Sequence, residues 1–363
     1  MTKLRVALLF GGRSSEHSIS CATAAGVLSA IDRERFDVLP VGITPDGAYV
    51  LEQDDPTRFA LDAEHLPQVA DNGSRVVWPE RAGERELRVR EVDGSVRSLG
   101  EVDVVFPILH GPYGEDGTIQ GMLELVGLPF VGSGVLASAL GMHKHFSKVV
   151  LQAAGIAVAP WHAVTSESWQ SAPESAIAAA ERLGYPVFVK PARAGSSVGV
   201  SKVHGPDALN DALRLAFAED TIVLIEAMVP GRELEVAVLG GTSGARARAS
   251  VAGEIVLSGR EFYDFEGKYL GGAGVTLECP ATLSPDELAH IQAVAVRAFE
   301  AIGAEGLARV DFFWGEELVV NEINTSPGFT PISMYPRCWQ ESGLGYTDLI
   351  TELIASAHES THG

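Results

Sequence analysis

Lysine, cysteine and long apolar runs are all scarce in this sequence. Six of its 363 residues are lysine, at positions 3, 144, 148, 190, 202 and 268. Its three cysteines include no C-x-x-C pair, so they indicate neither a disulfide framework nor a zinc site, and they fit a reducing compartment. No segment approaches the roughly 20 uninterrupted apolar residues of a membrane span, and the apolar run 6–10 is too short for a secretion signal. We therefore expect a cytoplasmic protein without a membrane partner.

Positive charge is scarce as well. The 27 Lys and Arg residues stand against 48 Asp and Glu, which gives a formal net charge of −21. An acidic surface argues against nonspecific binding to nucleic acid or to an anionic membrane. It does not exclude a small anionic ligand, because a few well-placed cations reverse the field locally. With 46% hydrophobic and 21% charged residues, the chain has enough apolar residues for two or three domain cores.

The pattern of apolar runs predicts a mixed α/β and α+β fold in three pieces. Residues 4–10 form a buried-strand pattern that ends at Gly11-Gly12, a helix is expected from about Ser14 to Ala30, and a second strand lies near 37–43. This β-α-β order implies a parallel sheet. Residues 45–100 contain turn dipeptides between short alternating runs, which predicts hairpins, and residues 102–109 resume the buried-strand pattern.

Two later helix starts carry capping-box patterns. Ser171 stands three residues before Glu174, and Ser284 stands three residues before Glu287 with Pro285 between them. A serine side chain can accept a hydrogen bond from the backbone N–H three residues on, so both serines are expected to be N-caps.

Two common phosphate-binding motifs are absent, namely G-x-x-x-x-G-K-[ST] and G-x-G-x-x-G. Residues 190–199 offer another solution, because Lys190 ends a predicted strand and is followed by a Gly/Ser-rich turn with Ser196 and Ser197. The N–H and hydroxyl donors of such a turn can cover phosphate groups. An ordinary hairpin with a solvated lysine fits this segment equally well.

The segment 308–330 is the most specific feature. Arg309 and Asp311 share one face of a predicted strand, and Glu322 and Asn324 share a face of the next strand. Antiparallel pairing would bring Asp311, Glu322 and Asn324 together as oxygen ligands of the kind that Mg²⁺ uses when it bridges phosphates. The loop 325–330 that follows can direct backbone N–H groups to one point.

Two further segments are too polar and glycine-rich for a core. Residues 110–117 follow a buried strand and begin with His110, which by itself is more typical of a hydrogen-bonded structural histidine than of a catalyst. Residues 259–274 form a long glycine-rich segment with Tyr263, Lys268 and Tyr269, and long loops of this kind often act as lids.

Four motifs in this order resemble the D-alanine–D-alanine ligase family of the ATP-grasp superfamily. They are HGPYGEDGTIQG (110–121), KPARAGSSVG (190–199), FYDFEGKY (262–269) and ARVDFF…NEINTSPGFT (308–330). The resemblance implies a three-domain ATP-grasp architecture: a Rossmann-like preATP-grasp domain (1–138), a central subdomain (139–231) and a C-terminal subdomain (232–363) with a lid at about 259–274. It also implies a homodimer.

Enzymes of this family make D-alanyl-D-alanine for peptidoglycan precursors. The resemblance implies that one D-alanine carboxylate attacks the γ-phosphate of ATP to give an acyl phosphate. The amine of a second D-alanine then attacks that carbonyl, and a tetrahedral intermediate expels phosphate.

The resemblance also implies a role for each matching residue. Two Mg²⁺ ions, with Mn²⁺ able to substitute, would be bound by Asp311, Glu322 and Asn324. ATP would be bound by Lys144, Lys190, Ser196, Ser197 and Lys268 at its phosphates, by the strand Glu226, Ala227, Met228 and Val229 at adenine, and by Glu233 at the ribose. Glu16 would bind the ammonium group of the first D-alanine, near His110, and Ser196 and Tyr269 would complete a hydrogen-bonded group with Glu16. Arg309 and the Gly328 N–H would stabilise the oxyanion, and Ser333 would bind the second carboxylate.

Two residues depart from the family pattern, and three alternatives stay open. His143 stands where the family commonly has aspartate, and Ala227 stands where lysine is frequent. A D-alanyl-D-lactate ligase is the nearest alternative, although Tyr269 favours the dipeptide. A nicotinamide-dependent oxidoreductase would explain the β-α-β start but requires the missing glycine motif. A noncatalytic nucleotide-binding regulator would not need the three metal positions.

Overall fold

The computed structural model describes residues 3–61, 66–241, 245–257 and 274–359. The described residues up to 107 form a mostly parallel sheet, in which only the strand Tyr49–Leu51 pairs antiparallel, and a small antiparallel sheet. Their strands are β1 (Leu4–Gly11), β2 (Phe36–Ile43), β3 (Tyr49–Leu51), β4 (Arg75–Val77), β5 (Glu86–Arg90), β6 (Val96–Glu101) and β7 (Val104–Pro107). The larger sheet has the order β3-β2-β1-β7, in which β1 pairs parallel with both β2 and β7, and the smaller sheet has the order β4-β5-β6. The predicted parallel start and the predicted hairpins are both confirmed.

Four helices accompany these strands: one lies between β1 and β2, and three follow β7 along the chain. They are α1 (His17–Ala30), α2 (Thr118–Val126), α3 (Val135–Met142) and α4 (Lys144–Ala153). Helix α1 begins at His17, shortly after the Gly11-Gly12 turn, in which both glycines have positive φ. A Cβ at Gly11 would lie 2.4 Å from the backbone oxygen of Ile43, so glycine is required for this close turn. The turn places Glu16 at the N-terminus of α1.

The central region, residues 161–227, is an antiparallel sheet with helices. Its elements are β8 (Trp161–Thr165), α5 (Ser166–Ser171), α6 (Pro173–Leu183), β9 (Val187–Pro191), β10 (Ser201–Val203), α7 (Leu209–Glu219) and β11 (Ile222–Ala227). The strand order is β10-β9-β11-β8. The N-cap predicted at Ser171 is wrong. Ser171 ends α5, and because Pro173 takes the first position of α6, Ala172 occupies the N-cap position without a side-chain bond.

The remaining described residues form a five-stranded antiparallel sheet and three helices. Their elements are β12 (Arg232–Leu239), β13 (Arg248–Leu257), β14 (Val275–Glu278), α8 (Pro285–Ala301), β15 (Leu307–Trp314), β16 (Leu318–Asn324), α9 (Met334–Glu341) and α10 (Tyr346–Glu359). The strand order is β14-β13-β12-β15-β16. Ser284 caps α8 in a capping box with Glu287, as predicted.

The C-terminal helices return to the first sheet and share its core. Phe106 of β7 packs edge-to-face against Phe329 with ring centroids 5.9 Å apart, and Phe329 packs in turn against Tyr335 of α9. Buried residues of β1, α1, α9 and α10 belong to one apolar cluster. This packing holds the loop after β16 against the end of β7, where His110 lies.

Membrane-spanning helices are not found in the described ranges, where each helix is either too short or too polar to cross a bilayer.

Candidate active site

The strands β15 and β16 bring the predicted acidic residues together. Asp311 is directly opposite Glu322, and Arg309 is directly opposite Asn324 in the antiparallel register. The register shifts immediately after Asp311, which locally distorts the ladder at this position. The alternation of side chains therefore places Arg309, Asp311, Glu322 and Asn324 on the same face of the sheet.

Arg309 is the centre of a charged cluster on this face. Its guanidinium donates to both carboxylate oxygens of Asp311, with Nε–Oδ1 at 2.6 Å and Nη2–Oδ2 at 2.7 Å. Its Nε also lies 3.3 Å from Oε2 of the buried Glu235. Although burial opposes the charge, Asp311 and Glu235 raise the pKa of Arg309 well above its ordinary value. Arg309 therefore keeps its positive charge in the wall of the site.

The residues predicted to bind metal fit a hard divalent cation by their chemistry. Asp311 and Glu322 supply carboxylates and Asn324 supplies an amide oxygen, which accepts a hydrogen bond from the Ser326 N–H at 3.0 Å. In the structure, cationic side chains face the same carboxylates: Arg309 at Asp311, and Lys144 Nζ 3.3 Å from Glu322 Oε2. Positive charge thus already balances this acidic pair. Within the described ranges, no cluster of three or more His, Cys, Asp or Glu side chains has metal-binding geometry.

Lys144 joins the central region to the acidic strands. It is the first residue of α4, and its Nζ donates to the Ala194 carbonyl at 2.8 Å as well as pairing with Glu322. Its own N–H donates to the Ala192 carbonyl at 2.9 Å. Because Ala192 and Ala194 belong to the predicted phosphate-binding segment, Lys144 fixes the start of that segment next to the acidic residues.

Glu16 and Ser196 meet although they are far apart in sequence. Ser196 Oγ donates to Glu16 Oε1 at 2.5 Å. Ser196 and Ser197 have φ values of +49° and +61°, a left-handed conformation that non-glycine residues rarely adopt. Such backbone strain concentrates at functional sites. The segment is therefore bent back so that the Ser196 hydroxyl points at the start of α1.

Lys190 and Lys148 bind the same carboxylate. Lys190 Nζ lies 2.7 Å from Glu226 Oε1, and Lys148 Nζ lies 2.9 Å from Glu226 Oε2. Burial opposes ionisation of Glu226, but the two lysines lower its pKa below the ordinary value. Burial also lowers the pKa of Lys148. The side chain of Glu226 thus orients Lys190, a role that its predicted place in the adenine strand did not include.

His110, Gly328 and Ser333 lie around the loop after β16. His110 is buried, with Nδ1 3.2 Å from the Ser326 carbonyl, and burial lowers the pKa of its imidazole. Its hydrogen bond joins the first sheet to the loop, which is the structural role suggested by sequence. Ser333 Oγ lies 2.7 Å from Thr330 Oγ1, and a Cβ at Gly328 would come within 3.2 Å of Ser333 Oγ. A glycine at position 328 therefore leaves space between the loop backbone and the Ser333 hydroxyl.

Glu115 was missed individually by the sequence analysis, although it lies in the polar segment 110–117. It accepts a hydrogen bond from the Gly111 N–H at 2.7 Å. Removal from bulk water, followed by the nearby charge of Glu16, raises the pKa of Glu115 to about 8. At neutral pH its carboxyl therefore holds a proton beside Glu16. Lys148 was missed too; its position one helical turn after Lys144 was the available signal.

Two cavities meet at these residues. The small cavity encloses about 190 Å³, and its wall includes Glu16, His110, Glu115, Lys144, Ser196, Arg309, Glu322, Asn324, Gly328 and Ser333. The large cavity encloses about 480 Å³, a volume within the usual range of ligand pockets. Its wall includes Lys144, Lys190, Ser196, Ser197, Glu226, Ala227, Met228, Val229, Glu233 and Glu322. Lys144, Ser196 and Glu322 line both cavities.

The structure thus groups the predicted residues much as the sequence analysis did. Those assigned to nucleotide line the large cavity, and those assigned to the small substrates line the small one. Asp311 is buried and contacts Arg309, which lines the small cavity. Tyr263, Lys268 and Tyr269 of the predicted lid fall outside the described residues.

Comparison with known proteins identifies relatives over nearly the whole chain. The family described as "D-ala D-ala ligase N-terminus" matches residues 5–133, and the one described as "D-ala D-ala ligase C-terminus" matches residues 150–355. A D-alanine–D-alanine ligase of Arthrobacter sp. (strain FB24) is 52% identical over 97% of this chain and 93% of its own length. One from Kineococcus radiotolerans is 50% identical over 98% of this chain and 96% of its own length.

Solved structures agree with these sequence matches. The VanG D-Ala:D-Ser ligase of Enterococcus faecalis superposes with a TM-score of 0.84 at 34% identity, covering 98% of this chain and all of that one. The D-alanine–D-alanine ligase of Coxiella burnetii gives 0.80 at 33% identity, covering 99% and 94%. The fold is therefore the ATP-grasp fold, and the chain belongs to the D-alanine–D-alanine ligase family.

Proposed function

We propose that this protein joins two D-alanines to D-alanyl-D-alanine at the cost of ATP, as a step in peptidoglycan precursor synthesis. The observation that carries the proposal is the shared wall of the two cavities at Lys144, Ser196 and Glu322. A nucleotide in the large cavity would present its terminal phosphate at this wall, and an amino acid in the small cavity would meet it there. The geometry thus suits transfer of a phosphoryl group between two adjacent ligands.

In the first step, the carboxylate of one D-alanine attacks the γ-phosphorus of ATP, and the bond to the β-phosphate oxygen breaks to release ADP. Glu16, oriented by Ser196, would bind the ammonium group of this D-alanine. Lys144 and Lys190 would bind phosphate oxygens, Lys190 being positioned by Glu226. Positioning and charge neutralisation are the main contributions that proteins make to phosphoryl transfer.

Magnesium fits Glu322 of the shared wall together with its neighbours on the same face of the sheet. Asp311, Glu322 and Asn324 would hold two Mg²⁺ ions, and Mn²⁺ accepts the same oxygen ligands. When bound, such ions neutralise negative charge on the transferring phosphoryl group. Arg309 and Lys144, which now pair with the two carboxylates, would then turn toward substrate oxygens.

In the second step, the amine of another D-alanine attacks the carbonyl of the acyl phosphate. A tetrahedral intermediate forms, the amine loses a proton, and the bond to phosphate breaks. Arg309 and the Gly328 N–H would stabilise the negative oxygen of this intermediate, and losing one such donor costs roughly 10²–10³ in rate. Ser333, held next to Thr330, would bind the carboxylate of the second D-alanine.

Several predictions from the sequence stay predictions within this proposal. They are the boundaries 1–138, 139–231 and 232–363, the lid at 259–274 with Lys268 and Tyr269, the homodimer and the cytoplasmic location. Each described sheet lies within one of the three ranges, which supports the boundaries. Membership of a ligase family leaves the oxidoreductase and the noncatalytic regulator without support.

The second substrate is the point at which related enzymes differ. The likeness to a D-Ala:D-Ser ligase favours testing D-serine as an acceptor, and D-lactate remains the alternative from the sequence. Tyr269 favours D-alanine by its resemblance to dipeptide-forming members. Supplying D-alanine with equal D-serine or D-lactate, and identifying the product by mass spectrometry, tests this choice. A predominance of D-alanyl-D-serine or D-alanyl-D-lactate would contradict the proposed acceptor.

A further inference from the structure

Two of the three cysteines lie side by side, although 59 positions separate them in the sequence. The Sγ atoms of Cys279 and Cys338 are 3.6 Å apart, and both cysteines are free thiols. Cys279 follows the edge strand β14, and Cys338 lies in the middle of α9. The pair therefore joins the edge of the five-stranded sheet to α9, the helix whose N-cap is Ser333.

The environments of the two thiols make them chemically unequal. Cys279 is half-buried, and its hydrogen bond with Cys338 and the nearby Arg337 cation lower the pKa of its thiol. Cys338 is fully buried, and its hydrogen bond with Cys279 and its burial raise the pKa of its thiol well above the ordinary value. Since the thiolate is the reactive form, Cys279 is the thiol that meets an oxidant first.

Cys21 differs from this pair. It is buried in α1, and burial raises the pKa of its thiol to about 12. It therefore stays protonated and inert under conditions in which Cys279 reacts, which makes it a matched control within the same chain.

We propose that Cys279 and Cys338 form a reversible disulfide that changes the binding of D-alanine in the small cavity. The oxidant is a small-molecule disulfide, such as oxidised glutathione. The Cys279 thiolate attacks one sulfur of that disulfide and releases one small thiolate. Cys338 then loses its proton and attacks Cys279, which releases the second thiolate and leaves the protein disulfide. Two cysteines are oxidised, and one small-molecule disulfide is reduced to two thiols.

The new bond would pull on residues that line the small cavity. A disulfide needs a sulfur–sulfur distance of about 2.05 Å, so the two thiols must approach by roughly 1.5 Å from their present 3.6 Å. Leu277, two residues before Cys279, and Met334, one turn before Cys338, are both in the wall of the small cavity. Packed interiors transmit displacements of this size rather than absorbing them.

The segments that carry Cys279 and Cys338 do not line the large cavity. Its described wall contains residues of β13 but none of β14 or α9. Oxidation is therefore expected to raise the KM for D-alanine at least threefold while the KM for ATP changes less than twofold. This kinetic part rests on the proposed ligase function, whereas formation of the disulfide does not.

In the test, the full-length protein is treated with oxidised glutathione and then unfolded in guanidinium chloride so that every remaining thiol, including buried Cys21, can be alkylated, and its peptides are mapped by mass spectrometry. We expect Cys279 joined to Cys338 and Cys21 alkylated. In the kinetic assay, dithiothreitol should restore the original KM for D-alanine. Cys279→Ser should resist oxidation and keep its KM, while Cys21→Ser should respond like the unaltered chain; Cys338→Ala provides a second variant that cannot form the bond.

Failure of the proposal is distinguishable from failure of the function. Absence of the Cys279–Cys338 peptide after oxidation would overturn the disulfide, whatever the activity. A mapped disulfide with an unchanged KM for D-alanine would overturn its effect on the small cavity. If the untreated chain had no ligase activity, the proposed function would fail. A mapped disulfide with a shifted melting temperature would still show that the bond between Cys279 and Cys338 forms.

Discussion

Ser196 Oγ donates a hydrogen bond to Glu16 Oε1 at 2.5 Å and so joins the phosphate-binding segment to the first helix across 180 sequence positions. The hydroxyl reaches Glu16 because Ser196 is held in a left-handed conformation. The carboxylate proposed to bind an ammonium group is thereby oriented by a residue that also lines the large cavity. One contact thus couples the two cavities.

Removing this contact is expected to weaken the use of D-alanine. Hydrogen bonds to charged groups contribute about 1.5–3 kcal/mol, so Ser196→Ala should lower kcat/KM for D-alanine by roughly 10- to 100-fold. Steady-state kinetics with D-alanine and with ATP as the varied substrate measures the effect. Ser197→Ala is the matched control, because Ser197 has the same backbone conformation but lines only the large cavity of the two. Equal losses in both variants would contradict a specific role for the bond.

Glu322 is expected to be essential for turnover. It faces Asp311 across the strand pair and lies in the wall of both cavities. Glu322→Ala removes a carboxylate that would hold Mg²⁺, and should reduce kcat by at least 10³ while the circular dichroism spectrum stays unchanged. Phosphate release at increasing Mg²⁺ measures this loss. Exposed Glu317→Ala, at the turn before the same strand, is the control. Full activity of Glu322→Ala in Mg²⁺ would refute the metal assignment.

Replacing each of the two lysines that bind Glu226 should affect a different property, stability in one case and the KM for ATP in the other. Lys148 is almost fully buried, so Lys148→Met leaves a buried carboxylate with one cation fewer, and loss of one partner of a buried pair costs about 3–5 kcal/mol. Lys190 lines the large cavity, so Lys190→Met should mainly raise the KM for ATP. Thermal unfolding and ATP kinetics of both variants separate the roles. A larger loss of stability in Lys190→Met than in Lys148→Met would reverse this assignment.

Glu115 should make the stability of the fold depend on pH. Its pKa is raised from 4.5 to about 8, so between these values the folded chain holds a proton that the unfolded chain releases. The contribution of Glu115 to the free energy of unfolding is therefore largest below about pH 4.5. It decreases above that pH and is lost as the pH rises through 8. Glu115→Gln, which stays neutral, should lack that loss. Its melting temperature relative to the unaltered chain should rise from pH 5 to pH 8.5.

Exposed Glu317→Gln is the control for the pH experiment, because it makes the same change from carboxyl to amide on the surface of the protein. The opposite outcome is that the melting temperatures of Glu115→Gln and the unaltered chain differ by the same amount from pH 5 to pH 8.5. That result would show that Glu115 is already ionised at neutral pH and would contradict the prediction.

Much of the site could be predicted because strand geometry is local. Side chains alternate along β15 and β16, so the spacing of Asp311, Glu322 and Asn324 was sufficient to place them on one face. The same locality explains the confirmed cap at Ser284. It also explains the error at Ser171, where Pro173 fixed the helix start one residue later than the serine pattern suggested.

The remaining contacts depend on tertiary packing that no local pattern encodes. Lys148 pairs with Glu226, and Cys279 lies against Cys338, because separate elements pack together in the folded chain. Glu115 lay within a recognised motif, yet its raised pKa arises from burial and from Glu16, which the motif does not contain. The contact between Ser196 and Glu16 was expected from the resemblance, whereas the left-handed backbone conformation of Ser196 was not.

Phosphate release is the measurement that tests the proposed activity most directly. The full-length protein is incubated with ATP, Mg²⁺ and D-alanine, and L-alanine replaces D-alanine in the parallel reaction. We predict phosphate release that requires all three components, stays at background with L-alanine, and yields one D-alanyl-D-alanine per phosphate by mass spectrometry. Phosphate release without dipeptide, or equal release with L-alanine, would contradict the proposed function.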